Sequence, residues 1–368
     1  MTNLLIKAFQ YLITSVNITL YRSCDILSNF YRLRIKKRQT IILLMPFNNS
    51  MKLDFSNFDV FADAISGYDL EFRQIDRGAF SSTLQQISAG SVFVSRMSST
   101  RKLEGKGSPP PGLITFGVPT TECLPFVWRN HYSSGNTLQI YKPTTDLEII
   151  TQPFFEAIDV SISEDRLNLL CQQWELPEFN QLMTRREMIS CNPDIMLQLR
   201  HILKVVCNTL YNEPNALNKE NHNEKSLQHT IEYEIPYLLM QALMTGEKIQ
   251  QQPTASKKAR ALDAAIEYIH NTPGQDISLN SFCLEAGINP RTMQRAFLER
   301  YGVTPKKYSL IFNLNNVYKE LSHRRYSETQ ITEVAEKYGY WHMSQFAKDY
   351  KQLFGSLPSE TLKKKHYV

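Results

Sequence analysis

The chain has 368 residues, 42% of them apolar and 11% aromatic, enough for two or three domains with hydrophobic cores and too much for a disordered chain. Six cysteines, Cys24, Cys123, Cys171, Cys191, Cys207 and Cys283, form no CxxC or CxH spacing, which argues against a disulfide scaffold or a zinc finger and for a reducing, cytoplasmic setting. The net charge of +5 hides an asymmetry: residues 1–50 carry +6 (7 basic, 1 acidic), residues 51–256 carry −7 (17 basic, 24 acidic) and residues 257–368 carry +6 (17 basic, 11 acidic), as in an acidic sensor joined to a basic nucleic-acid binder or, more plainly, a body with a basic solvated tail.

Residues 1–50 contain Ala8–Tyr21, uncharged and largely apolar but interrupted by Gln10, Thr14, Ser15, Asn17 and Thr19. That run is too short to span a bilayer, which needs about 20 apolar residues, and no small-x-small cleavage site follows it. The apolar run Ile41–Phe47 is shorter still and follows the basic cluster Arg34–Arg38. No membrane role is expected. The segment reads as a poorly ordered extension, or as a start assigned too early, with Met45 or Met51 the real one.

Residues 51–245 read as one sensor or regulatory domain. Over 70–161 come short runs rich in β-branched and aromatic residues: Leu70–Gln74, Phe80–Ile87, Ser91–Met97, Leu113–Phe116, Thr137–Tyr141 and Leu147–Ile150. Turn residues separate them, among them Asp76-Arg-Gly78, Ser108-Pro-Pro-Pro-Gly112 and Ser133-Ser-Gly135, and no helical periodicity intervenes. A cupin-like antiparallel barrel or sandwich is expected. Helices follow over 163–245. Ser163-Glu-Asp165 starts one, and Asn192-Pro193 starts another with Ile195, Leu199, Ile202, Val206 and Leu210 on one face. That stripe suits packing on its own β domain or pairing of two subunits. Tyr211–Lys225 reads as a linker, Ile231–Met244 as a segment that kinks or begins at Pro236, and residues 246–256 as a second linker.

Residues 257–368 read as almost all helix and contain a weak internal repeat. The first copy runs from Ile277 through Gly287 and Phe297 to Tyr301-Gly-Val-Thr-Pro305; the second runs from Ile331 through Gly339 and Tyr350 to Phe354-Gly-Ser-Leu-Pro358. A helix-turn-helix needs a small residue where its helices cross, and glycine four residues later for the tight turn. Cys283 and Gly287 meet that spacing, as do Ala335 and Gly339. Units are therefore expected at about 279–300 and 331–354. Phe282, Met293, Phe297, Val334, Phe346 and Tyr350 supply the buried faces. Arg291, Thr292, Gln294 and Arg295, and Trp341, His342, Ser344, Gln345 and Lys348, are left exposed, with side chains suited to base edges in a major groove. An ordinary helical hairpin is the plainer reading, weakened by the second copy in a basic domain.

Ile288–Phe297 and Gly339–Pro358 closely resemble the two DNA-binding units of AraC/XylS-type transcriptional regulators. The resemblance covers about residues 257–365. Asp69–Gly78 and Pro111–Gly117 look, more weakly, like the β-rich sensor of one subgroup. The resemblance implies two helix-turn-helix subdomains joined by a long helix, here Pro305–Leu321, behind a regulatory domain. By motif position it implies base-facing roles for Arg291, Thr292 and Arg295 and for Met343, Ser344, Gln345 and Lys348. The family commonly places arginines in the connecting helix, where this chain has Asn313, Asn315 and Asn316.

Enzyme signatures are missing: there is no HExxH, GxSxG or P-loop, and Gly105-Lys-Gly-Ser108 is no phosphate cradle. His131 is the lone histidine of the β region, too few for a cupin metal site. No cysteine has the Pro-Cys-His setting of a DNA-repair methyltransferase. Trp128–Tyr132 could line an effector cavity, but such aromatic clusters are more often core.

The expected fold is therefore α+β, and the expected function is sequence-specific transcriptional regulation without catalytic, metal or cofactor sites. Double-stranded DNA is the expected partner; RNA polymerase, a second copy of the chain and an unidentified small-molecule effector are further candidates. One chain should read an asymmetric site across successive major grooves. The alternative is a small-molecule-binding or enzymatic β domain whose helical tail docks a protein.

Overall fold

The structure, a computed structural model, describes residues 18–21, 32–35, 49–120, 125–129, 131–133, 135–143, 146–183, 187–214, 216–218, 227–249, 257–275, 283, 287–323 and 329–363. Strand β1 (Ile18–Tyr21) pairs with β2 (Arg32–Ile35), and both lie in the part of the chain expected to be an extension. β3 (Asn49–Phe55) precedes helix α1 (Phe58–Ala64), which Asn57 caps by accepting from the Asp59 and Val60 N–H groups.

The six expected strands all form, as β4 (Asp69–Gln74), β5 (Ser82–Ala89), β6 (Val92–Ser99), β8 (Leu113–Pro119), β11 (Thr137–Tyr141) and β12 (Leu147–Ile150). β7 (Leu103–Ser108), β9 (Phe126–Trp128), β10 (His131–Ser133), β13 (Phe155–Ser163), β14 (Met188–Ser190) and β15 (Glu247–Lys248) join them. Two antiparallel sheets result, ordered β15-β14-β11-β8-β13-β6-β5-β3 and β10-β9-β12-β7-β4. They face each other without closing, so of the barrel and the sandwich it is an open sandwich that forms.

Side chains alternate across a strand, and both sheets use both faces. On the larger sheet Val92, Val94, Ile114, Phe116, Leu138, Ile140, Ile158, Val160 and Ile162 pack under helices. These are α2 (Glu164–Gln173), α3 (Phe179–Leu182), α4 (Pro193–Asn212) and α5 (Ile235–Thr245). Ser163 and Asn192 cap α2 and α4 as their sequences imply. Residues 227–229 and a π-helical turn at Thr230–Glu234 run without a break into α5, so Pro236 lies inside a continuous helix, next to the wider turn that accommodates its missing N–H. The buried stripe of α4 is turned slightly from the expected one: Met196 and Leu203 are fully buried while Ile195 and Ile202 are partly covered. That face packs on its own sheet and is not available to pair subunits.

The C-terminal region holds α6 (Lys257–Asn271), α7 (Pro290–Tyr301), α8 (Pro305–His323), α9 (Thr329–Lys337), α10 (Met343–Phe354) and α11 (Pro358–Lys363). Most of the first helix of the first unit, including Phe282, lies outside the described residues. Met293, Phe297, Val334, Phe346 and Tyr350 are buried as expected, and each buried aromatic side chain contributes about 1.5–3 kcal/mol relative to exposure.

Candidate nucleic-acid interface and the sheet behind it

Cys283 and Ala335 are buried at the helix crossings, and Gly287 (φ 60°) and Gly339 (φ 83°) take the left-handed turn conformation that a Cβ disfavours. Asn289 caps α7 by accepting from the Thr292 N–H at 2.8 Å. Pro290 occupies the first turn, where its missing N–H costs nothing.

Burial then sorts the faces. Arg291, Gln294, Arg295, Trp341, His342, Ser344, Gln345 and Lys348 are exposed, while Thr292 and Met343 are half-buried. Trp341 is 72% exposed, an unusual position for so large an apolar ring. The Thr292 hydroxyl also donates to Asn289 Oδ1 at 3.0 Å, so it is tied to the cap. Arg295 Nε donates to Glu299 Oε1 at 2.8 Å. Lys258 binds the same carboxylate, and the two cations hold Glu299 below its usual pKa. An exposed pair of this kind contributes about 0–1 kcal/mol, so Arg295 can leave it for a base edge at little cost.

The opposite ends of both recognition helices are held by the smaller sheet and the loops beside it. The last carbonyls of a helix lack intrahelical donors. Lys102 Nζ supplies one to the Tyr301 carbonyl of α7 at 2.8 Å. Gln74 Nε2 and the Gly78 N–H supply two to the Leu353 carbonyl of α10, at 2.7 and 3.0 Å. The connecting helix is held in the same way: Gln74 N–H donates to Asn315 Oδ1 and Asn315 Nδ2 to the Gln74 carbonyl, both at 2.9 Å. Asn313 Oδ1 accepts from the Gly274 N–H at 3.2 Å, and Asn316 is half-buried. Of the three asparagines that stand in place of arginines, Asn315 thus supports a contact with the β domain.

Alternation explains how one sheet meets two surroundings. In β4, β7 and β12, Leu70, Phe72, Leu103, Leu147 and Ile149 face the larger sheet. Their neighbours Glu71, Arg73, Glu104 and Glu148 face the helices. Glu71 pairs with Lys319 at 3.0 Å, and Glu148 with Arg300 at 3.4 Å. The Arg73 guanidinium lies 5.1 Å from the Phe312 ring centroid. Glu104, only 3% exposed, accepts from the Tyr308 hydroxyl at 2.9 Å and the Tyr301 hydroxyl at 3.4 Å. His270 Nε2 lies 3.0 Å from the same Tyr308 hydroxyl; burial, with Arg73 and Lys106 nearby, pushes His270 down to about 3, so it is neutral at physiological pH. Phe58 stacks on Tyr318 at 4.7 Å and completes the apolar part of the contact.

Between the sheets lies a small, largely apolar cavity of about 60 Å³. Its walls are mainly Phe61, Leu70, Phe72, Leu103, Phe126, Tyr141, Leu147, Ile149 and Phe155, with Tyr68 and Asp159 as polar members. The Tyr68 hydroxyl donates to Asp159 Oδ2 at 2.8 Å, and burial pushes the Asp159 carboxyl up to about 7. Sequence reasoning assigned none of these residues to a cavity, naming Leu70, Tyr141 and Leu147 only as strand ends; the alternation of β13, Ala157-Ile-Asp-Val-Ser161, was the available signal. Trp128 does not line the space. It is fully buried and meets Tyr141 edge-on at 5.4 Å. His131 is half-buried, and Tyr132 is exposed, its hydroxyl donating to the Glu299 carbonyl of α7 at 3.4 Å.

Burial pushes the Cys191 and Cys207 thiols up to about 12 and raises that of Cys171, which suits structural thiols; Cys24 and Cys123 lie outside the described residues. Among the described residues no group of three or more His, Cys, Asp or Glu side chains is placed to hold a metal, and no helix is long and apolar enough to cross a membrane.

Residues 282–364 match the family model described as a helix-turn-helix domain. XylDLEGF operon transcriptional activator 3 of Pseudomonas putida is 24% identical over 245 residues, covering 65% of this chain and 70% of that protein. XylDLEGF operon transcriptional activator 2 of Pseudomonas putida is 34% identical over 100 residues, covering 27% of this chain and 64% of that protein. Among solved structures, the AraC-like transcriptional activator CuxR aligns over 73% of this chain and 96% of its own, at 11% identity and a TM-score of 0.39. The family-model match and the sequence similarity to these activators show a C-terminal helix-turn-helix domain in a chain similar to transcriptional activators.

Proposed function

We propose that residues 257–368 read an asymmetric duplex site with both recognition helices, and that residues 51–245 form a regulatory domain, with 246–256 as the linker, that sets how those helices are held. The observation that carries this is the division of each recognition helix. Its polar side chains are exposed, while its last carbonyls are docked on the β domain. Arg291, Gln294 and Arg295 face one major groove, and Trp341, His342, Ser344, Gln345 and Lys348 the next, with Thr292 and Met343 at the edges of those faces. An effector in the intersheet cavity would press on Leu70, Phe72 and Leu103, whose strand neighbours Glu71, Arg73 and Glu104 hold the helices. The output is activation, as the names of the relatives suggest, and RNA polymerase at the promoter is the partner that such an output requires. The protein works in the cytoplasm.

The test is binding of the full chain to promoter fragments upstream of its own gene and its neighbours, by fluorescence anisotropy across 50–300 mM salt. Affinity should fall steeply as phosphate contacts release counterions. Salt-independent binding, or none to any fragment, would overturn the reading. The rival, a helical tail that docks a protein, requires Arg291→Ala and Arg295→Ala to leave reporter expression unchanged.

A further inference from the structure

The intersheet cavity also carries information about what fits it; this inference rests on the cavity being the effector site. None of the residues that line it is Lys, Arg or His. Most of its polar members are already satisfied by the protein. Gln139 Nε2 donates to the Ser133 and Thr137 hydroxyls at 2.7 and 3.1 Å. Ser99 donates to the Arg101 carbonyl at 3.2 Å, and the Thr151 hydroxyl accepts from the Leu103 N–H at 2.8 Å.

Asp159 is different. It sits near the middle of β13, the most centrally paired strand of the larger sheet, opposite Ser95 and Gly117, and is 5% exposed. Tyr68 satisfies Oδ2, and among the described residues Oδ1 has no hydrogen-bond partner. A carboxylate buried in an apolar space without a cation is costly, and burial accordingly makes Asp159 hold its proton up to about pH 7. A ligand that brings a donor removes the cost. A ligand that brings a second carboxylate adds to it, because nothing in the cavity wall neutralises either charge.

We propose that the cavity takes an apolar molecule whose polar end is a hydrogen-bond donor to Asp159, an amine before an alcohol, and that it discriminates against carboxylic acids. The aromatic walls, with Phe61 and Phe72 stacked at 5.6 Å and 17°, hold the apolar part. Tyr68 keeps one carboxylate oxygen aligned while the other meets the ligand. An ammonium group arriving at Asp159 leaves the carboxylate charged and forms an ion pair out of water.

The experiment is isothermal titration of the full chain at pH 7.5 with three molecules of matched shape: 2-naphthylmethylamine, 2-naphthalenemethanol and 2-naphthoic acid. The expected order is amine, then alcohol, with the acid at least tenfold weaker than the amine. Asp159→Asn should weaken the amine at least tenfold and the alcohol by less than threefold. Tyr68→Phe provides a second variant that retains the carboxylate, and it should keep the amine-over-acid order. Acid binding equal to or tighter than the amine overturns the ligand class while leaving the cavity as the effector site, provided Ala157→Leu, which fills the space, abolishes it. Binding of all three that survives Ala157→Leu, or binding of none, overturns the cavity reading together with the ligand class.

Discussion

Replacing Asn315 with alanine tests whether the two parts of the chain are held by specific hydrogen bonds. Asn315 is 4% exposed and closes a two-bond ring with the backbone of Gln74, accepting from its N–H and donating to its carbonyl. Alanine keeps the helix, in which it is the better former, and removes both partners at once. The Gln74 backbone groups stay buried against α8, each losing its partner. An unmet buried donor or acceptor costs about 1–3 kcal/mol, so the pair predicts a loss of roughly 2–6 kcal/mol, offset by a few tenths from helix propensity. Asn316→Ala, one position along and half-buried, should stay within about 0.5 kcal/mol of the parent. Urea unfolding of the full chain, followed by tryptophan fluorescence and far-UV circular dichroism, measures both. If the docking is a cooperative part of the fold, Asn315→Ala lowers the midpoint in both probes together. A loss below 0.5 kcal/mol, equal to that of Asn316→Ala, would refute the account of the interface.

Three further outcomes follow from single residues. Asp159 has an ordinary pKa of 3.8 in the unfolded chain and about 7 in the folded one, so the folded state binds the extra proton. Its favourable contribution is complete below pH 3.8 and disappears as pH rises through 7, a difference of roughly 4 kcal/mol. Asp159→Asn should therefore gain stability relative to the parent progressively between pH 4 and pH 8 in thermal melts, and a pH-independent difference would contradict the burial argument. At the DNA face, Arg295→Ala should cost about 1–3 kcal/mol in binding and relax preference at one end of the site. Lys348→Ala should weaken all sequences alike and reduce the salt slope by about 1. Binding-site selection with each variant decides between them, and loss of preference confined to Lys348→Ala would reverse the assignment.

The helix-turn-helix units were legible because everything that makes them is local. A small residue, a glycine four positions later and apolar residues at helical spacing all fall within about twenty residues, and their exposed faces follow from the same periodicity. The strands of the β domain were legible only in part. β7, Leu103-Glu-Gly-Lys-Gly-Ser108, has two glycines and two charges and reads as a polar loop, yet it lies between two strands. Gly105 is needed there because a Cβ would lie 2.7 Å from both Phe72 and Ile149. Glu104 is tolerated because Tyr301 and Tyr308, nearly 200 positions away in the chain, reach it with their hydroxyls. Likewise Asn315 looks like an unremarkable helix residue until Gln74 is set beside it. Strand pairing and domain docking join residues far apart in the chain, and alternation states only that a strand has two faces. What each face meets, a cavity on one side and the recognition helices on the other, is decided by tertiary packing, which is why the exposed faces of the helix-turn-helix units could be named from the chain while the cavity and the contacts that hold the helix ends could not.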